Sequence, residues 1–76
     1  DIDGLDGSLV PATGTPVPGG LSFWHVVQTI ETLFSSCKVI SADVNEIVKQ
    51  EDTPLTQFTA AMIATKITAA AIAKRS

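Results

Sequence analysis

Asp1 and Asp3 stand two residues apart at the start of the chain. If Asp1 keeps extended geometry, both carboxylates fall on one face of the backbone, roughly 6 to 7 Å apart along the chain. Like charges so close repel, and both stay ionised only with a cation or strong donors between them. An oxygen-only pair suits hard ions such as manganese or magnesium. The alternative is a solvated acidic turn, and an Asp-x-Asp pair does not by itself decide between the two. A calcium loop fails, because an EF-hand starting at Asp1 needs an oxygen ligand at its fifth position, Gly at its sixth and Glu at its twelfth, where the sequence has Leu5, Asp6 and Ala12. No Gly-Lys-Ser/Thr ending of a P-loop and no Gly-x-Gly-x-x-Gly fingerprint is present, so nucleotide binding has little support. His25, in the first turn of a helix, reads as a surface or packing residue. Cys37, with no paired acid or base nearby, reads as a buried small hydrophobe.

The elements that must position these groups follow from the apolar pattern. Residues 4–21 hold all five Gly and three of the four Pro, so regular structure is not expected there. A loop of that length is uncommon unless it has a function. Ser22 can cap a helix, with Leu21 and Val26 as a hydrophobic staple. The helix then runs to about residue 34 or 35, its apolar stripe formed by Val26, Val27, Ile30, Leu33 and Phe34. Residues 39–44 (VISADV) read as a short strand, continuous in character as expected for a parallel sheet covered on both faces. Residues 45–52 form a polar connection, with Lys49 to Asp52 as solvated loop. Thr53-Pro54 caps a last helix over about 54–74, closed by Lys74 and Arg75 with favourable dipole sign. Trp24, Phe34, Phe58 and Met62 read as core or subunit contacts.

The order strand end, loop, helix, strand, loop, helix predicts an α/β architecture with right-handed crossovers. Ligands of open parallel sheets gather beyond the carboxyl ends of strands, which is where Asp1, Asp3, Asp43 and Glu46 fall.

Composition narrows the classes. With 76 residues, 45% of them hydrophobic, the chain suits at most one very small domain. Five basic against eight acidic residues give a net charge of -3, which argues against a nucleic-acid surface. The single Cys excludes an internal disulfide and fits a reducing compartment. The weakly polar stretch from Phe58 to Ala73, broken by Thr59, Thr65, Lys66 and Thr68, is expected to be too short and polar for a bilayer and to form a half-buried helix. The sequence opens without Met, and its last helix is apolar over most of its circumference. It therefore reads as the C-terminal piece of a larger domain.

Read as a whole, Asp1-Ile2-Asp3-Gly4-Leu5-Asp6, Pro11-Ala12-Thr13-Gly14-Thr15-Pro16 and Gly19-Gly20-Leu21 resemble the late metal-binding signature of the ureohydrolase family, the arginases, agmatinases and their relatives. The Gly-Leu-Asp and Pro-Ala-Thr-Gly-Thr-Pro wording is most similar to arginases. Asp43-Val44-Asn45-Glu46 resembles the family's later Asp-x-x-Glu. The resemblance covers essentially all 76 residues. It implies that the chain is the C-terminal segment of a three-layer α/β/α domain with a mainly parallel sheet.

It also implies residue roles. Asp1 looks like the carboxylate bridging two manganese ions, two per subunit of the intact protein, and Asp3 like a ligand of one of them. Thr15 and Glu46 resemble the groups that face the substrate guanidinium, and Asp43 one that supports the site floor; the histidine ligands would lie upstream. Two such ions furnish a nucleophile near neutral pH, with anionic Glu46 holding the cationic substrate over it. The implied reaction is hydrolysis of arginine to ornithine and urea by a cytoplasmic homotrimer. The alternatives are an agmatinase or related amidino hydrolase, and a non-catalytic homologue with a degenerate metal site. Two departures from the family pattern bear on loop rigidity. The usual Asp-Pro is Asp6-Gly7 here, which is expected to loosen the turn, and the Asn-Pro that commonly follows the later Glu is absent around Val48-Lys49.

Overall fold

The computed structural model describes residues 1–13, 15–48 and 54–75. The expected solvated loop at Lys49 to Asp52, the Thr53 cap and Gly14 lie outside the described residues.

Two helices dominate. Ser22 ends the preceding loop in extended conformation, and its hydroxyl oxygen accepts the His25 N–H at 3.2 Å. This satisfies one of the free donors of the first turn and starts α1, Phe23–Ser36. Of the expected stripe, Val27 is buried and Val26, Ile30 and Phe34 are half-buried, whereas Leu33 is exposed. The helix stops where the Cys37 N–H donates to the Leu33 carbonyl at 2.8 Å and the backbone turns extended. The second helix, α2, is Leu55–Arg75, close to the expected span.

The two helices run in the same direction. Near the start of α1, Trp24 lies under the Lys66 ammonium, 5.7 Å from the ring centroid. At the end of α1, the Ser35 carbonyl accepts from Lys74 Nζ at 3.2 Å, so one of the last carbonyls of α1 is satisfied by a cation from its neighbour. Consecutive helices that run parallel need a returning connection, and residues 37–48 are its described part.

By length and composition alone, residues 55–74 could cross a membrane, with mean hydropathy 1.3; the expectation from Phe58 to Ala73 took too short a window. The helix is used for packing. Thr56, Thr59, Ala60 and Ile63 recur at helical spacing on its buried side. Leu55, Phe58, Met62 and Ile72 form a second, exposed stripe. Two apolar stripes on nearly opposite sides explain why the sequence looked apolar around most of the circumference.

The core is Ile2, Leu5 and Val10 from the first loop, Val27 from α1, and Ala60 and Ile63 from α2. Glycine- and proline-rich chain thus forms one wall of the core. Among the described residues there is no β-sheet, only isolated parallel bridges Leu5 to Leu21 and Asp6 to Val17. This architecture is consistent with the C-terminal, mainly helical part of a larger α/β/α domain.

Several local expectations are corrected. Residues 39–44 are not a strand; Ile40 is 86% exposed. A parallel strand gets its hydrogen bonds from neighbouring strands, and none of the described residues provides one. Asp1 does not end a strand either. Ile2–Gly4 is a 3-10 turn, with Gly4 N–H donating to the Asp1 carbonyl at 3.3 Å and Leu5 N–H to Ile2 at 3.0 Å. With about three residues per turn, Asp1 and Asp3 do not share a face by alternation. Cys37, Trp24, Phe58 and Met62 are exposed in this chain, not core: Cys37 sits on the extended chain after α1, and Trp24 is covered only by the Lys66 side chain.

Candidate active site

The site is built on the loop of residues 1–21, and Asp6 ties that loop together. One carboxylate oxygen of Asp6 accepts the Ser8 N–H at 3.0 Å and a short bond from the Ser8 hydroxyl, while the other accepts the Gly19 N–H at 2.6 Å. These donors, the Ser8 hydroxyl foremost, then the backbone N–H groups of Ser8 and Gly19, hold the Asp6 carboxyl below its ordinary 3.8. Backbone bonds zip the same two limbs of the loop: Gly7 N–H to Val17 at 2.7 Å, Asp6 N–H to Leu21 at 2.9 Å and Leu21 N–H to Gly4 at 2.9 Å.

Two glycines have steric reasons to be there. A Cβ on Gly20 would lie 2.7 Å from the Leu5 carbonyl carbon and oxygen, and Gly19 adopts φ 75°. Gly7 has a role in the folded loop that proline could not fill. Its N–H makes the bond to Val17, which a proline could not donate, and a Cβ there would meet Val17 backbone atoms at 3.1 and 3.3 Å.

This zipped loop brings Thr15 against Asp3. The Thr15 hydroxyl donates to Asp3 Oδ2 at 2.8 Å, and the Thr15 N–H donates to the Thr13 hydroxyl at 3.1 Å. Two residues twelve apart in sequence, assigned separate roles by the family resemblance, are therefore in direct contact.

The second acidic segment is drawn to the same loop. The Ile2 N–H donates to the Asn45 carbonyl at 3.1 Å, between Asp1 and Asp3 on one side and Asp43 and Glu46 on the other. Asp43 accepts from the Asn45 amide at 2.9 Å. Asp1 and Asp43 both border a cleft of about 240 Å³, whose other walls include Leu5, Val26, Ile30 and Ile63. Glu46 is exposed and has φ 71°, a left-handed conformation that costs a non-glycine residue on the order of 1–3 kcal/mol.

The donor set fits a hard divalent ion in part. Asp1, at the cap of the 3-10 turn, and Asp3, within it, offer carboxylate oxygens, the ligand type manganese and magnesium favour. Among the described residues, no group of three or more His, Cys, Asp or Glu comes together. A complete coordination shell would need ligands beyond these two.

The sequence reading missed the residues that hold the loop in place. Asp6 was read only as part of a motif, although Asp-x-Ser is a local signal for a carboxylate that bonds backbone two residues on. Thr59 was read as a polar interruption of a helix, and Thr56 was not singled out. Both are buried, and both hydrogen-bond the loop: Ala12 N–H to Thr56 Oγ1 at 2.8 Å and Thr59 Oγ1 to the Leu9 carbonyl at 2.9 Å. Their spacing of three on a helix was the available signal.

Comparison with known proteins places this geometry in context. A sequence model described as the Arginase family matches residues 1–70. An N(1)-aminopropylagmatine ureohydrolase of Thermococcus kodakarensis is 43% identical over 63 residues, 83% of this chain and 22% of that protein. An agmatinase of Pyrococcus horikoshii shows the same identity and coverage. A hepatic arginase of Aquarana catesbeiana is 47% identical over 47 residues, 62% of this chain and 15% of that protein. The chain thus spans about a fifth of the length of these curated relatives. The resemblance read from the motif wording favoured arginases, whereas the agmatine-type relatives match a larger share of the chain. No solved structure matches it.

Proposed function

The chain belongs to the arginase family, and from that membership we propose that it is the C-terminal part of a metal-dependent hydrolase that releases urea from a linear guanidino compound. The observation that carries this reading is the hydrogen bond from Thr15 to Asp3, which joins the residue that resembles a substrate contact to the one that resembles a metal ligand.

In this reading Asp1 and Asp3 hold part of a two-manganese centre, completed by residues outside this chain. The ions, when bound, lower the pKa of water so that a nucleophile is present near neutral pH. The protein's own groups bind and orient the substrate. A guanidinium offers only donors. Thr15 already uses its proton toward Asp3, so its lone pairs remain to accept a guanidinium N–H. Glu46 supplies the anionic partner, and a carboxylate with a guanidinium can form two parallel hydrogen bonds that fix the plane of the group. Asp43, which lines the same cleft as Asp1, adds negative charge beneath the site.

Among substrates, agmatine or an aminopropylated agmatine is favoured by the names of the relatives that cover 83% of the chain. Arginine is favoured by the Pro11 to Pro16 wording. A homotrimeric assembly in the cytoplasm completes the proposal.

The test is manganese stoichiometry and urea release in the full-length protein. About two ions per subunit, with urea formed from agmatine or arginine, supports the reading, and Asp1→Ala then loses metal and activity together. Folded protein that retains no manganese and releases no urea moves the function to a non-catalytic homologue.

A further inference from the structure

Ala12 is where three parts of the molecule meet. Its N–H donates to Thr56 Oγ1 on α2 at 2.8 Å, and its carbonyl accepts the Val48 N–H at 2.9 Å. Ala12 is 8% and Thr56 1% exposed. Thr59, three residues further along α2, donates to the Leu9 carbonyl at 2.9 Å. The helix therefore grips the loop at two points with opposite polarity, Thr56 as acceptor and Thr59 as donor.

A hydrogen-bonded helix is stiff, while residues 9–12 have no regular structure of their own. What α2 holds is consequently fixed to α2. From Ala12 the chain reaches Thr15 in three residues, and the bond from Val48 reaches Glu46 two residues back.

We infer that Thr56 is a positioning residue of the site: its buried hydroxyl, acting through Ala12, sets the placement of Thr15 relative to Glu46. The inference rests on the reading of those two as the pair that faces the guanidinium. If the hydroxyl is replaced by a methyl, a buried N–H loses its acceptor. The loop then lifts toward water or twists to another acceptor; Thr15 keeps its bond to Asp3 and Asn45 its bond to Ile2, and what is lost is the tie through Ala12 that fixes Thr15 and Glu46 to α2. Asp1 and Asp3 are held by other bonds, the 3-10 turn and Ile2 to Asn45, so metal retention does not run through Ala12.

The test compares Thr56→Val and Thr56→Ser with wild type in the full-length protein. The readouts are manganese content, steady-state kinetics with agmatine and with arginine, and amide hydrogen exchange at Ala12 and Val48. For Thr56→Val the expected result is a KM raised about tenfold, from the loss of a buried acceptor, with a smaller change in kcat. Manganese stays at the wild-type level, and both amides exchange faster. Thr56→Ser restores KM and protection, since it keeps the oxygen. Unchanged KM and exchange in Thr56→Val overturn the inference. So does equal impairment in Thr56→Ser, which would assign the effect to methyl packing, and so does loss of manganese in step with activity. If Thr56→Val fails to fold, Thr56→Ala replaces it with the same expectations. If the wild-type protein hydrolyses neither substrate, the functional reading fails, and exchange at Ala12 and Val48 still decides whether Thr56 positions the loop.

Discussion

Residues 1–21 and residues 37–48 both lack extended regular structure, yet they are held in opposite ways. The first is rich in glycine and proline, and it supplies Ile2, Leu5, Val10 and Ala12 to the interior. The second has the β-branched pattern of a buried strand, and Val39, Ile40, Ile47 and Val48 are exposed. The difference lies in where the backbone hydrogen bonds go. The first loop closes its own through Asp6, Gly7, Leu21 and the two threonines of α2. The second is tied to the first at Asn45 and Val48. Irregular sequence can therefore be rigid when its side chains complete the bonding, and strand-forming sequence stays open when adjacent strands are missing.

The largest test of this contrast is Gly20→Ala. The added Cβ would sit 2.7 Å from Leu5 backbone atoms that the loop cannot move without unzipping. Chemical unfolding should show a loss of about 3 kcal/mol, the upper range for overpacking. Val10→Ala comes next. Val10 is fully buried, and removal of its two methyl groups should cost about 2 kcal/mol in the same assay. A near-neutral result for either would mean that the loop is not a wall of the core.

The Asp6 bonds predict a pH effect of smaller size, since the carboxylate is solvent-exposed and screened. Its pKa is lowered in the folded chain, so its contribution is fully present above the unfolded value near 3.8. It is lost as pH falls through the lower folded value. The thermal midpoint of Asp6→Asn should lie below that of wild type at pH 6, and the gap should narrow as pH drops below 4. A gap that is constant with pH would show that the Ser8 and Gly19 bonds do not depend on the charge.

Ile40→Ser should have the smallest effect. At 86% exposure it should change the stability of this 76-residue chain by less than about 0.5 kcal/mol. The same substitution in the full-length protein sharpens the comparison. A loss there similar to that of Val10→Ala would mean that neighbouring strands cover the segment.

Much of the fold was legible because it rests on short-range rules. The Ser22 cap, the extents of α1 and α2 and the irregular character of residues 4–21 follow from caps, periodicity and turn residues that act over a few positions. The motif at Asp1, Asp3 and Thr15 was legible as a family resemblance. That the Thr15 hydroxyl bonds Asp3 was not, because nothing in the spacing fixes how a twelve-residue loop closes.

Sequence by itself determined the helices, the acidic pair and the hydroxyl-bearing loop, since each depends on residues close along the chain. Tertiary structure decided which threonines of α2 hold the loop and that the Gly7 N–H bonds Val17. It also decided that residues 39–44 stay unpaired among the described residues and that Ala12 bonds both Thr56 and Val48. The physical reason is that a hydrogen bond between residues 12 and 56 requires both partners to be buried together, and burial is a property of the assembled chain.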